Sequence, residues 1–178
     1  PLAGQILLQF LFIAINAFFA ATEIALISLN ENKLRREADG GDKRAAQLLK
    51  IAETPTTFLS TIQIAITLSG FLGAAFGADN FAERITDYFV NTVGVTSVSA
   101  ATINTLSVVV VTIIISYFTL VLGELVPKRV AMKKSEQIAR AICGFINGAS
   151  KIMRPIIWLL TKSTNGVLHL MRISPEDE

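Results

Sequence analysis

The sequence predicts an all-α membrane protein with three transmembrane helices and additional helices at the cytoplasmic interface. Three stretches lack charged side chains over 22, 25 and 36 residues, namely Pro1–Thr22, Thr54–Ala78 and Tyr88–Gly123. Each can cross a hydrocarbon layer about 30 Å thick, which takes about 20 helical residues. The apolar content of 52% agrees, because helices of soluble proteins keep one polar face. We place the spans at about 4–29, 56–78 and 101–123.

The basic residues predict the orientation of the chain. Residues 23–53 contain six of the 16 Lys and Arg residues, whereas residues 79–104 contain only Arg84. Short loops rich in Lys and Arg stay on the cytoplasmic side. We therefore expect a multi-pass protein of the cell membrane, with the N-terminus outside and the C-terminus cytoplasmic. Orientation and membrane lipid account for the net charge of +2, so no nucleic acid partner is implied.

The segments outside the spans predict cytoplasmic juxtamembrane helices. Residues 31–53 are polar and Ala-rich with a break at Gly40-Gly41, which indicates two short helices. Residues 142–171 are apolar but interrupted by basic side chains, and only seven residues separate Arg154 from Lys162. This pattern is typical of amphipathic helices that lie in the interface. We expect them at about 130–171, broken by Pro155.

Small and polar residues form one stripe along each of the second and third spans. The stripes are Ser60, Gln63, Thr67, Gly70, Ala74 and Gly77, then Thr105, Thr112, Ser116, Thr119 and Gly123. In lipid such stripes face other helices or a water-filled cavity. Packing alone explains any single hydroxyl, but two matched stripes predict a polar seam in which an ion can bind. The small residues Gly70, Gly73 and Gly77 also predict close helix contact, within or between subunits.

Two carboxylates are unusual for their positions. Glu23 lies within the inner end of the first span, where an acid costs several kcal/mol unless it is paired or hydrated. Glu124 ends the third span, where the helix terminus carries partial negative charge. A cation should therefore compensate Glu124, and the local alternatives are Lys128, Arg129 or a metal.

Pro127 is expected to end the third helix. Proline disfavours the helical conformation at the preceding Val126 and leaves carbonyls of the preceding turn without a donor. A carboxylate, carbonyls and nearby hydroxyls form an oxygen-only ligand set, which suits Mg²⁺.

The sequence gives no sign of an enzyme. We find no Ser, His and Asp arrangement, no Cys cluster, no Gly-rich phosphate loop and no metal-binding His pair. Cys143 and His169 are each the only residue of their type. We interpret Cys143 as structural and His169 as an interfacial side chain.

Three segments carry a family resemblance. FFAATEIAL at 18–26, LSTIQIAITL at 59–68 and GELVPKR at 123–129 resemble the signature stretches of the cyclin M and CorC family. The resemblance implies that residues 1–178 form a transmembrane domain of this type, assembled as a homodimer. It also implies magnesium efflux coupled to sodium. A pair of CBS domains that binds adenine nucleotide is expected beyond the C-terminus, so ATP would act only through that absent part.

The resemblance also implies a ligand set. The implied metal ligands are Glu124, Gly123, Thr22, Ser28 and Thr67, with Pro127 and Glu23 structural at the site. The chain also departs from the family pattern. Ala20 and Thr22 occupy positions that are often Ser, and Ile66 and Gly70 stand where magnesium-transporting members carry Asn.

The favoured hypothesis is therefore a divalent cation transporter, with magnesium moved outward. The alternative is a non-transporting membrane anchor or sensor that couples nucleotide-binding domains to another transporter. The haemolysin label of some relatives is a third possibility. A solvent-accessible cavity at Glu124 would favour transport, whereas a dry seam would favour the anchor.

Overall fold

Every secondary-structure element in the described part of the chain is helical. The computed structural model describes residues 2–53, 55–92, 94 and 99–173. The α-helices are α1 (Leu2–Ile27), α2 (Glu31–Asp39), α3 (Lys43–Glu53), α4 (Pro55–Asp87), α5 (Ala100–Leu120), α6 (Val126–Lys133), α7 (Ser135–Ile152) and α8 (Arg154–Leu170). Two π-helical turns, Tyr88–Thr92 and Val121–Leu125, follow α4 and α5.

Three helical stretches are long and apolar enough to cross a membrane, which confirms the predicted fold class. They are Leu2–Ile27, Phe58–Thr92 and Ala100–Lys133. The spans expose large apolar side chains, such as Phe71 at 72% and Ile113 at 63%. These surfaces are suited to contact with lipid, since a hydrocarbon layer does not penalise exposed apolar groups.

The sequence predicts that the second span ends at residue 78, but α4, the helix that forms this span, continues beyond it. α4 passes Asp79 and Glu83 and reaches Asp87. A charged residue marks where a helix leaves hydrocarbon, but it does not end the helix. Arg84 Nε donates to Gln5 Oε1 at 3.0 Å, so this end of α4 is tied to the start of α1. The predicted loop at 79–100 includes residues 93 and 95–98, which lie outside the described residues.

A packed core lies at the end of the bundle that carries α2, α3 and α7. Its buried residues come from α1 to α4, α6 and α7, namely Ala25, Leu26, Leu34, Ala45, Leu48, Ile51, Phe58, Ile62, Ala131, Ala139, Ile142, Cys143 and Ile146. Cys143 is buried here, in agreement with a structural role. α7 ends at Ile152, and Pro155 lies in the first turn of α8, so the break falls beside the predicted proline.

Arg140 on α7 links this helix electrostatically to α2 and to the start of α3. Its guanidinium donates to Glu37 of α2, to Asp42 before α3 at 2.9 Å, and to Glu136 at 3.3 Å. Lys33 Nζ also donates to Glu136 Oε2 at 2.6 Å. The hydrogen bond from Lys33, followed by that from Arg140, lowers the pKa of the Glu136 carboxyl. These contacts fix α7 against the α2–α3 pair.

Candidate cation site

A π-helical turn replaces the expected end of the third helix. The turn Val121–Leu125 joins α5 directly to α6, and the Val126 N–H donates to the Val121 carbonyl. Val126 has φ −66° and ψ −49°, so it is helical, and the prediction that Pro127 moves it out of the helical region is wrong. The extra residue in the π turn widens the helix before the proline, which relieves the clash that a proline ring causes in a regular helix.

Asn16 supplies the donor that Pro127 cannot. In an α-helix the Gly123 carbonyl would accept from the N–H of residue 127, but proline has none. Asn16 Nδ2 of α1 instead donates to Gly123 O at 2.9 Å. A Cβ at Gly123 would lie 3.1 Å from this amide nitrogen, so the glycine permits the close approach of α1. The sequence predicts carbonyls without a donor before Pro127, but the Gly123 carbonyl accepts a hydrogen bond from a side chain.

Glu124 lies next to this hydrogen bond and is partly buried. No ion pair or hydrogen bond to its carboxylate occurs within residues 2–53, 55–92, 94 and 99–173. Lys128 Nζ lies 4.0 Å from Glu23 Oε2 instead. Lys128 therefore pairs with the other unusual acid, which gives Glu23 the partner it needs, and leaves Glu124 without that counter-ion.

The three predicted hydroxyl ligands have other surroundings. Thr22 is fully buried and its hydroxyl donates to the Phe18 carbonyl at 2.7 Å. Thr67 accepts from Gln63 Nε2 at 3.1 Å. Ser28 is exposed and borders a separate cavity of about 230 Å³, beside Lys33 and other residues of the α2–α7 contact. Gly123 and Glu124 are consecutive residues, and a ligand role for them and for these hydroxyls stays a prediction.

The described residues contain no cluster of three or more His, Cys, Asp or Glu side chains that could hold a metal. A cation at Glu124 would therefore depend on neutral oxygens in addition to the one carboxylate. Asn16 is the residue that sequence reasoning missed. An amide within an apolar run is itself a signal, because it needs a polar partner in lipid.

The polar surface that packs between the spans lies on α1. Gln5, Gln9, Asn16 and Glu23 fall on one face at steps of 4, 7 and 7, and Gln9 is only 8% exposed. The predicted seam between α4 and α5 is only partly present, because Gln63, Thr105 and Ser116 are exposed.

The glycines of α4 divide between two environments. A Cβ at Gly77 would overlap Ile115 Cδ1 and lie 3.2 Å from Gln9 Nε2, so α1, α4 and α5 meet at this position. A Cβ at Gly73 would lie 3.4 Å from Phe12 Cβ on α1, whereas one at Gly70 would meet nothing within 4 Å. Gly73 and Gly77 therefore permit close approach within the chain, and Gly70 lies on an open face.

The amino-acid sequence of this chain is similar to those of known proteins. Residues 7–178 match the family profile described as the cyclin M transmembrane N-terminal domain. A UPF0053 protein of Synechocystis sp. is 33% identical over 168 residues, which cover 94% of this chain. A protein of Haemophilus influenzae named polyamine export protein is 30% identical over 89% of the chain, and an uncharacterized protein of Mycobacterium tuberculosis is 29% identical over 98%. The matched regions span 37%, 36% and 48% of the lengths of these three relatives.

Proposed function

Because this chain belongs to the cyclin M transmembrane domain family, we propose that it forms the membrane part of a cation exporter with Mg²⁺ as the transported ion. The observation that carries the proposal is the isolation of Glu124. Its carboxylate has no counter-ion in the described part of the chain, while Lys128 is directed to Glu23. A carboxylate at this depth in a membrane span needs a cation or water as its partner.

The neighbouring oxygens suit a hard cation. Gly123 offers a carbonyl, which has two acceptor positions and uses one for Asn16. The Asn16 Oδ1 accepts no hydrogen bond within the described ranges. Asn16 would thus supply an amide oxygen to a chain that carries Ile66 and Gly70 where the family resemblance implies Asn. Carboxylate, carbonyl and amide oxygens together with retained water form the coordination that Mg²⁺ prefers.

The remaining parts of the proposal concern direction, coupling and assembly. Outward movement coupled to Na⁺ follows from the family resemblance, as does regulation by ATP through CBS domains outside this chain. A homodimer is supported by the open face of α4, where a Cβ at Gly70 would meet nothing within 4 Å and Phe71 is 72% exposed. Small residues on such a face permit close contact with a second helix.

A polyamine is the second candidate substrate. The relative from Haemophilus influenzae bears the name polyamine export protein. A polyamine carries several ammonium groups, each of which a carboxylate such as Glu124 can bind. The site chemistry is therefore compatible with either cation. A membrane anchor without transport is the third possibility, and all three are separated by measuring flux.

The test is Glu124→Gln, which keeps the shape of the side chain and removes its charge. Mg²⁺ binding should weaken by at least tenfold, about 1.4 kcal/mol, so Mg²⁺ should no longer raise the unfolding temperature. The matched control is Lys128→Gln, which loses a contact to Glu23 and should keep the effect of Mg²⁺. Stabilisation by Mg²⁺ that survives in Glu124→Gln would refute the ligand role.

Flux from proteoliposomes that hold the full-length protein decides between the substrates. Export of Mg²⁺ that Glu124→Gln abolishes supports the first proposal. Export of spermidine without Mg²⁺ would assign the second, and Mg²⁺ binding without any flux would assign the anchor.

The orientation has its own test. A cysteine at Asn91 should react with an impermeant maleimide added outside the cell, whereas one at Gly41 should not. The native Cys143 is buried and should stay unlabelled. Labelling at Gly41 alone would reverse the proposed topology.

A further inference from the structure

The last helix, α8, is apolar and yet buries none of its residues in the described structure. Its large side chains are exposed, including Leu159 at 58%, Val167 at 56% and Leu170 at 83%. The preceding helix differs, because α7 buries one face in the core. A helix of this composition is not stable against water along its whole length, so another surface must cover α8.

The apolar residues of α8 share one side of the helix. At 100° per residue they occupy one broad arc, formed by Ile156, Ile157, Leu159, Leu160, Val167, Leu168 and Leu170. Two hydroxyls interrupt this arc, and both are satisfied internally. Ser163 donates to the Leu159 carbonyl at 2.9 Å, and Thr164 donates to the Leu160 carbonyl at 2.8 Å. The arc can therefore enter an apolar medium without unpaired hydroxyl donors.

The opposite side of α8 is basic and aromatic. Arg154, Trp158, Lys162 and His169 lie on it at steps of 4, 4 and 7. Lys162 Nζ lies 4.8 Å from the centre of the Trp158 ring, which is a cation–π contact. No Asp or Glu occurs from residue 137 to residue 174, so positive charge on α8 has no acidic neighbour in sequence.

We propose that α8 binds the surface of an anionic phospholipid bilayer, with its apolar arc between the acyl chains and its basic arc among the phosphate headgroups. The charge pattern selects this occupant, because an uncompensated basic arc complements an anionic leaflet. A tryptophan beside the basic side chains is also typical of the membrane interface. A second copy of the chain would cover the apolar arc but would leave the basic arc on the opposite side without an anionic partner. This binding site is independent of the proposed cation transport.

Trp158 makes the proposal measurable, since it is the only tryptophan of the chain. We expect its fluorescence in lipid nanodiscs to be quenched by phospholipids brominated near the top of the acyl chain. Quenching should be stronger in phosphatidylcholine that contains phosphatidylglycerol than in phosphatidylcholine alone. Each basic residue near an anionic surface contributes about fivefold to the binding constant. The double variant Arg154→Gln, Lys162→Gln should therefore lower the preference for the anionic bilayer by about 25-fold.

The matched control removes two charges elsewhere. Arg36→Gln with Lys43→Gln changes exposed residues of α2 and α3, and it should leave the response of Trp158 to phosphatidylglycerol unchanged. Three outcomes overturn the proposal. They are emission that does not depend on phosphatidylglycerol, the same loss of response in the control, and blue emission that brominated lipid does not quench. The last result would place α8 against protein, as a contact with a second copy predicts.

Discussion

Replacing Asn16 by leucine should destabilise the packing of α1 against the π turn. The substitution keeps the approximate size of the side chain and removes the donor to Gly123 O. The N–H that an α-helix would direct at this carbonyl is missing, because residue 127 is proline. The Gly123 carbonyl would then lose the side-chain donor that Asn16 provides.

The magnitude follows from two opposing effects. A buried acceptor that loses its donor costs about 1–3 kcal/mol. Hydrogen bonds between membrane helices average about 0.6 kcal/mol, because unfolded helices in lipid also find partners. We expect a loss of about 1–2 kcal/mol, since the proline prevents local compensation. For a chain of this size the unfolding temperature should fall by about 2–8 °C.

The assay is thermal unfolding in detergent, carried out as a double-mutant cycle with Pro127→Ala. Alanine restores a backbone N–H, so Pro127→Ala should recover at least half of the stability lost in Asn16→Leu. The exposed Asn165→Leu provides a control with the same chemical change. Unchanged stability of Asn16→Leu, or a cycle in which the two substitutions are additive, would refute the account of this turn.

Two further predictions concern packing and pH. Gly77→Leu should lower the unfolding temperature, because the new side chain would overlap Ile115. Gly70→Leu should leave the monomer stable and weaken any dimer, because a Cβ at Gly70 would meet nothing within 4 Å. Equal unfolding temperatures of the two variants would contradict this assignment. The pKa of the Asp42 carboxyl is lowered by the Ala45 N–H and then by Arg140, and that of Glu136 is lowered by Lys33 and then by Arg140. Both contribute stability that is complete above the unfolded-state pKa near 4 and is lost as pH falls through the lower folded-state pKa. Thermal unfolding should therefore show reduced stability below about pH 4, and Arg140→Gln should reduce this dependence without abolishing it. An unchanged acid dependence in that variant would show that the cluster does not contribute.

The sequence predicts the features that depend on local composition. Charge-free stretches locate the three spans, because insertion into lipid requires apolar side chains over a continuous length. The break before α8 follows from Pro155, which fits the first turn of a helix but not its interior. Gly40-Gly41 likewise separates α2 from α3, and Gly41 has the positive φ of 98° that favours glycine.

The site could be predicted only in part, because its decisive contact joins distant residues. Asn16 and Gly123 are 107 positions apart, and neither residue alone indicates the other. The rule that proline disfavours a helical predecessor considers two residues, whereas the π turn and α1 together decide the conformation of Val126. The polar stripe of α4 was only a partial guide for a similar reason, since Gly77 meets α1 and α5 but Gln63 finds a partner in Thr67 on its own helix.

The position of the core has a consequence for the biogenesis of this chain. Leu34 and Leu48 share one core with Ile142 and Ile146, yet the ribosome makes α2 and α3 well before α7. Until the third span has been inserted and α7 has been released, the part of the α2–α3 surface that α7 covers is exposed. A chain truncated before residue 135 would thus be inserted in the membrane with this hydrophobic surface exposed. Because exposed apolar surface promotes aggregation and chaperone binding, we expect such a truncated chain to be degraded faster than one that includes α7.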